Sequence, residues 1–141
     1  MKRTTLSALA LSGVFAVATP VYAGMGHTVS QPLQLEQGVS ATHTLEQGFP
    51  TKFQLQVDEA MRLHVSSEHF PGHSSRFNHI RAELRNAQGQ PVAVAEDRHG
   101  HFHLSQQLQP GSYVLEVSGK THPARRNLGE NTYELHVKFE R

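Results

Sequence analysis

The sequence of 141 residues contains no cysteine. This absence excludes a disulfide framework, a thiolate zinc site, an iron–sulfur cluster and a cysteine nucleophile. An excess of one charge is also lacking, because 13 Lys and Arg face 12 Asp and Glu without a block of like charge. That balance argues against a protein that grips nucleic acid by neutralising phosphates. Histidine is unusually frequent, with 11 residues, and metal binding is the first function that this suggests.

The first 23 residues have the pattern of a secretory signal peptide. Lys2 and Arg3 form a positive start, and the apolar stretch at 6–17 is shorter than the roughly 20 residues of a spanning helix. Small residues at 21–23 suit a signal peptidase, and no cysteine follows to carry a lipid anchor. We predict cleavage after Ala23 and a periplasmic or secreted product, with an uncleaved anchor as the alternative.

The rest of the chain alternates between apolar and polar residues. A polar lead at 24–34 has no clear period and is expected to be flexible. Period-two alternation is the signal of strands with one buried face, and no window has a helical stripe. The alternating apolar residues are Phe53, Leu55 and Val57; Met61, Leu63 and Val65; Ile80, Ala82 and Leu84; Tyr113, Leu115 and Val117; and Tyr133, Leu135, Val137 and Phe139.

Segments of turn-forming residues separate these alternating runs. Residues 86–91 predict a hairpin with Gly89 available for a left-handed conformation, and residues 109–112 predict a tight turn. Seven or eight short strands at this spacing predict an all-β protein, an antiparallel, jelly-roll-like β-sandwich spanning residues 35–141, with a barrel as the other option. A domain of this size can bury its own core and needs no metal to fold.

Two connections are longer than the others and are therefore candidate binding loops. Residues 67–79 include three His, and residues 120–131 include Lys120, Arg125 and Arg126 against Glu130 alone. Arg side chains make forked contacts with carboxylates, so the second loop suits an acidic target. The alternative is a solvated loop whose cations serve solubility.

Three imidazoles at alternating positions form the candidate metal site. His99, His101 and His103 would share one face of an extended strand, with adjacent Cα atoms roughly 7 Å apart. Two such rings can converge on one ion, and imidazole suits zinc, copper and nickel. No cofactor is predicted unless this cluster is a site, in which case one of these metals is implied.

A closed metal site needs further ligands, because structural zinc takes four. The loop at 67–79 offers His69, His73 and His79. The alternative is that these His are part of an outward polar face. His64 and His136 favour it, because each lies between apolar strand residues and is expected to face solvent.

No catalytic motif is present. His69 and His73 have the spacing of a metalloprotease helix, but Pro71 and Gly72 between them forbid that helix. A serine nucleophile elbow is absent, and the sequence does not show which carboxylates face each other. We therefore predict that the protein is not an enzyme.

Residues 45–139 resemble the prepeptidase C-terminal (PPC) β-sandwich family. Ile80–Ala93 is similar to the strand–hairpin–strand of that family, and Gln109–Val117 is similar to its turn and following strand. The resemblance implies a β-sandwich of the kind appended to secreted proteases, here standing alone behind a signal peptide.

The chain resembles more closely the periplasmic inhibitors of g-type lysozyme and their relatives that inhibit i-type lysozyme. The similar segments are Leu63–Ser66, Pro110–Tyr113, Thr121–Asn127 and Tyr133–Val137. This resemblance implies that the protein partner is a lysozyme. It implies a target-binding set of Arg125, Arg126, Tyr113, Ser112, His122 and Phe49.

The match to the inhibitors is uneven. Arg125 corresponds to an inhibitory Arg and Tyr113 to the turn Tyr. Three positions depart from the family pattern, since Pro110 replaces a Ser, Phe49 lies near an expected Tyr and His122 near a second Arg. These departures leave open whether the target is the same lysozyme, another one or none.

The leading hypothesis is a periplasmic lysozyme inhibitor, with g-type preferred and i-type next. Its cationic loop would plug a cleft whose carboxylates perform hydrolysis, and no nucleic acid or membrane anchor is expected. The alternatives are a periplasmic His-rich metal-binding protein and a generic extracellular module that binds glycan or protein. For a single plug, Arg125 and Tyr113 must lie on one edge of the sandwich.

Overall fold

The computed structural model describes residues 31–69, 78–121 and 131–141, and all regular structure in those ranges is β. No helix in them is long and apolar enough to cross a bilayer. The strands are β1 (Leu33–Gln34), β2 (Gly38–Val39), β3 (His43–Thr44), β4 (Thr51–Val57), β5 (Met61–Glu68), β6 (Asn78–Asn86), β7 (Pro91–Asp97), β8 (His103–Leu108), β9 (Gly111–Thr121) and β10 (Thr132–Glu140).

The strands form two sheets. The first sheet has the order β1-β4-β9-β6-β7, and the second has the order β2-β10-β5-β8, with β3 also paired to β10. The predicted β-sandwich is confirmed, and the seven strands of six residues or more agree with the predicted number. The three two-residue strands were not predicted, and β1 pairs parallel to β4, unlike the other pairs.

The core lies between the sheets and is built by the alternating residues. Along β6, Ile80, Ala82 and Leu84 are fully buried, while Arg81 lies on the outer face. Each fully buried Leu or Phe contributes about 1.5–3 kcal/mol of transfer free energy. The buried apolar set is Leu35, Leu45, Phe53, Leu55, Val57, Leu63, Val65, Ile80, Ala82, Leu84, Phe102, Leu104, Leu108, Leu115, Val117, Tyr133, Leu135 and Val137.

Local turn chemistry sets the β6–β7 hairpin. The Oδ1 atom of Asn86 accepts hydrogen bonds from the backbone N–H groups of Gln88 and Gln90, at 3.1 and 2.9 Å. Gly89 has φ of +76°, a conformation that glycine adopts without steric cost. The hairpin predicted at residues 86–91 is therefore confirmed.

Part of the predicted polar lead lies in regular structure. Leu33 and Gln34, the last two residues of the predicted flexible segment 24–34, form β1 beside Phe53 and Gln54. The N–H of Leu35 then donates to the carbonyl of Gln54 at 2.8 Å. These bonds come from a distant strand, so the lead has no local pattern that would indicate them.

Burial of Tyr133 predicts a loss of stability in alkali. This ring is 1% exposed, and burial raises its pKa from 10.0 to about 12. Between pH 10 and 12 the unfolded chain loses this proton and the folded chain keeps it, so the free energy of unfolding falls. A shift of two pKa units corresponds to roughly 3 kcal/mol at most. Urea titrations from pH 9 to 12 should show a steeper decline for the native protein than for Tyr133→Phe; equal slopes would contradict this.

Candidate functional site

One end of the sandwich holds the two ends of the predicted cationic loop. Thr121 closes β9, and Asn131 precedes β10. Arg125, Arg126 and His122 lie between them, outside the described residues. The structure therefore defines where this segment leaves the sandwich and where it returns.

Phe49 lies at this same end. The turn before β4 is tied to the end of the segment, because the N–H of Leu45 donates to the carbonyl of Asn131 at 2.7 Å. Within the turn, the N–H of Phe49 donates to the carbonyl of Glu46 at 3.1 Å, and Gly48 has φ of +84°. The Phe49 side chain is 69% exposed. A large apolar ring is thus presented to solvent on a turn whose first residue is bonded to the point where the cationic segment rejoins the fold.

Tyr113 and Ser112 lie at the opposite end of β9. Tyr113 is paired with Leu55 across β4, whereas Phe49 precedes β4 by two residues. Six residues separate the Phe49 and Leu55 positions, which is about 20 Å at 3.3 Å per residue. The structure therefore does not bring Tyr113 together with Phe49, as a single plug containing both residues would require.

Both residues at that far end have local partners. The hydroxyl of Tyr113 donates to the carbonyl of Gln109 at 2.8 Å, which closes the turn into β9. The hydroxyl of Ser112 donates to Oε1 of Gln56 at 2.6 Å. These contacts give Tyr113 and Ser112 a role in holding the turn predicted at residues 109–112.

The run from His99 to His103 is not an extended strand, and the predicted shared face is wrong. Residues 98–100 form a bend between β7 and β8, and Gly100 has φ of +85°. Oδ1 of Asp97 accepts the N–H groups of His99 and His101 at 2.6 and 3.1 Å. Desolvation opposes ionisation of Asp97, but these two donors outweigh it and lower its pKa. The turn therefore separates His99 from His103, the first residue of β8, so the three rings do not share one face.

A buried polar network fastens this turn to the second sheet. The hydroxyl of Ser67, which is fully buried, donates to the carbonyl of Gly100 at 2.8 Å and accepts the N–H of Phe102 at 3.0 Å. His69 contributes a second contact, because its Nε2 meets the same Gly100 carbonyl. Its Nδ1 lies 2.7 Å from the carbonyl of Thr132. Sequence reasoning missed this network, although Asp97 and Gly100 three residues apart are a turn signal.

The network limits the predicted metal site. Both ring nitrogens of His69 face carbonyl oxygens, and Nδ1 of His101 lies 3.4 Å from Oε2 of Glu68. His79 is on β6 opposite Lys120, and His73 lies outside the described residues. In the part of the chain that the structure describes, no group of three or more His, Asp or Glu is placed to hold one metal ion.

Comparison with known proteins addresses the fold. The solved structure of the pre-peptidase C-terminal domain of collagenase from Bacillus anthracis is similar, with a TM-score of 0.55 and 19% identity. The match covers 77% of this chain and 95% of that domain. The chain has a PPC-like fold. No family model and no curated protein match the sequence, and these comparisons give no support to the lysozyme-inhibitor family.

Ion pairs cover the outer face of the first sheet of this PPC-like sandwich. Glu83 and Glu116 are direct cross-strand neighbours on β6 and β9. Arg85 bridges them, at 2.6 Å to Glu83 and 3.3 Å to Glu116, and Lys52 lies 3.0 Å from Glu116. Partial burial disfavours the charge of Glu116, but Lys52 and Arg85 outweigh it and lower its pKa. A glycosidase acid requires a raised pKa, so Glu116 does not fit that role.

An apolar groove opens between β1 and β2 of the PPC-like sandwich. Its volume is about 390 Å³, and its walls include Leu33, Val39, Phe53 and Val137. His43 lies in it with its ring against Phe53 at 5.0 Å, and burial lowers the pKa of His43. Gln34, Glu36 and Gln37 also line the groove, which therefore combines apolar contact with polar side chains and one imidazole.

Proposed function

We propose that this protein is a periplasmic or secreted inhibitor of lysozyme that acts by binding and not by catalysis. The g-type enzyme is the preferred target and the i-type enzyme the next. In this proposal the segment 120–131 enters the acidic substrate cleft, where Arg125, with Arg126 and His122 nearby, pairs with the carboxylates. The PPC-like sandwich serves as a rigid support.

The observation that supports the proposal is the position of Phe49. Its ring is exposed on a turn whose first residue, Leu45, is bonded to Asn131, where the cationic segment returns to the sandwich. Arg and aromatic residues dominate binding energy at protein interfaces, and they act best when close together. An exposed aromatic ring together with an arginine-bearing segment is a combination that suits a cleft lined with carboxylates and sugar subsites.

The proposal assigns Tyr113 and Ser112 to the turn before β9 and not to the plug. Their hydroxyl groups are engaged with Gln109 and Gln56. Their distance of about 20 Å from Phe49 places them outside a compact contact centred on that ring. This differs from the set implied by the sequence resemblance, in which Tyr113 was an anchor.

We expect Arg125→Ala and Phe49→Ala each to raise the concentration for half-inhibition of g-type lysozyme at least tenfold, since truncated hot-spot residues cost about 2 kcal/mol or more. Tyr113→Phe and Ser112→Ala are the matched controls and should stay within twofold of the native protein. The measurement is lysis of peptidoglycan by g-, i- and c-type lysozymes at increasing inhibitor concentration.

Two outcomes of this assay contradict the proposal. Absence of inhibition of all three lysozymes at micromolar protein would remove the function itself. Inhibition that Tyr113→Phe abolishes and Phe49→Ala leaves intact would keep the function but move the contact to the other end of the sandwich. Melting temperatures of all four variants identify any loss caused by unfolding.

A further inference from the structure

Two histidines that are distant in sequence meet on the outer face of the second sheet. In the pairing of β5 with β8, Ser66 lies opposite His103 and His64 lies opposite Ser105. His64 and His103 are therefore diagonal neighbours on one face of adjacent strands. Their ring centroids are 6.3 Å apart, with an angle of 32° between the ring planes.

A carboxylate orients one of these rings. Nε2 of His64 lies 3.1 Å from Oε2 of Glu140, which follows from the pairing of β5 with β10. Lys138 donates a hydrogen bond to the other oxygen of this carboxyl group, Oε1 of Glu140, at 2.6 Å. A neutral imidazole that donates from Nε2 has its lone pair on Nδ1. Metal-binding histidines commonly have this arrangement, with the second nitrogen donating to a carboxylate.

We propose that His64 and His103 bind a divalent transition metal ion, zinc, copper or nickel, with Glu140 positioning the His64 ring. Metal–nitrogen bonds of about 2.0–2.1 Å place two rings on one ion with their centroids roughly 5–6 Å apart. The observed 6.3 Å is within a side-chain rotation of that geometry. Imidazole is the preferred ligand of these ions, and water completes the coordination on the solvent side.

The site differs from the one that the sequence suggests. His103 is common to both, but its partner is His64 from another strand and not His99 or His101 from the same run. Asp97 and Gly100 turn the chain between His99 and His103, whereas the β5–β8 register brings His64 to His103. The set suggested by the sequence predicts that substitution of His99 or His101 weakens metal binding. The set His64 and His103 predicts instead that substitution of His64 weakens it.

The test is a calorimetric titration of the purified protein with zinc, copper and nickel chloride in a buffer without chelators. We expect a micromolar site that His64→Gln and His103→Gln each weaken at least tenfold. Glu140→Gln should weaken it less, yet still measurably, because it removes only the orienting hydrogen bond. His99→Gln and His101→Gln are the matched controls and should stay within twofold.

The proposal is overturned if His64→Gln and His103→Gln both leave the strongest site within twofold, or if His101→Gln weakens it as much as they do. All five substitutions change solvent-facing or turn residues, and melting temperatures without metal confirm that each variant is folded. Broadening of the His64 and His103 imidazole signals by nickel in an NMR spectrum gives an independent readout. The test needs no lysozyme, so its result is separate from the proposed function.

Discussion

A Gly100→Ala variant is expected to lose about 2–3 kcal/mol of unfolding free energy, a large part of the 5–15 kcal/mol of an ordinary domain. Two costs add. A side chain at φ of +85° costs roughly 1–2 kcal/mol, because its Cβ approaches the following carbonyl. The new methyl group would also overlap Nε2 of His69, which must then leave the Gly100 and Thr132 carbonyls. This costs about 1 kcal/mol, because an imidazole with one N–H donates a hydrogen bond to only one of the two carbonyls.

Gly89→Ala is the matched control for this variant. Gly89 has nearly the same backbone conformation, with φ of +76°, but no atom lies within 4 Å of a Cβ built there. Gly89→Ala should lower the free energy of unfolding by about 1–2 kcal/mol, from backbone strain alone. Urea unfolding of both variants therefore separates the conformational cost, which they share, from the overlap with His69, which only Gly100→Ala suffers. Equal losses for the two variants would contradict the role assigned to His69.

A double-mutant cycle isolates the contact itself. In a His69→Ala background the overlap is gone, so Gly100→Ala should cost only the backbone strain. The coupling between the two substitutions is expected to be about 1 kcal/mol, within the range that contacting residues show. A coupling near zero would mean that the turn moves freely without its contact to the second sheet.

The long strands could be predicted from the sequence because each carries its own signal. Alternation along β6 buries Ile80, Ala82 and Leu84 on one face, and this pattern is readable without knowing what the strand pairs with. Strands β1, β2 and β3 have two residues each and exist only through bonds to β4 and β10. No local pattern encodes such partners, so these three were missed.

The candidate sites depended on register, which sequence alone does not fix. The distance between Phe49 and Tyr113 follows from the pairing of Thr51 with Val117 and of Leu55 with Tyr113. The meeting of His64 and His103 follows in the same way from the β5–β8 pairing. The wrong prediction of an extended strand from His99 to His103 has a different cause. The turn signal of Asp97 and Gly100 was present in the sequence, but the regular His spacing was given more weight.

Gly119→Ala is the second substitution with a large expected effect, a loss of about 3 kcal/mol. Gly119 lies in β9 opposite Ile80, and a Cβ there would be 2.6 Å from the carbonyl oxygen of His79 and 2.9 Å from Cδ2 of Leu45. The first contact is with backbone of the neighbouring strand, so the strands must separate slightly. Overpacking of this kind costs typically 1–3 kcal/mol. Chemical denaturation gives the loss, and a variant as stable as the native protein would contradict the close approach of the two strands at this position.

The same substitution has a local consequence that tests how the Phe49 turn is held. Displaced Leu45 can no longer keep its N–H at 2.7 Å from the carbonyl of Asn131, so this amide should exchange with solvent faster than the global stability requires. The N–H of Phe102 is bonded to Ser67 at the turn between β7 and β8. Its exchange rate should rise only as much as the loss of global stability requires. Adding Leu45→Ala should recover little stability, because the His79 carbonyl still meets the new methyl group. Full recovery would instead show that Leu45 alone sets the need for glycine at position 119.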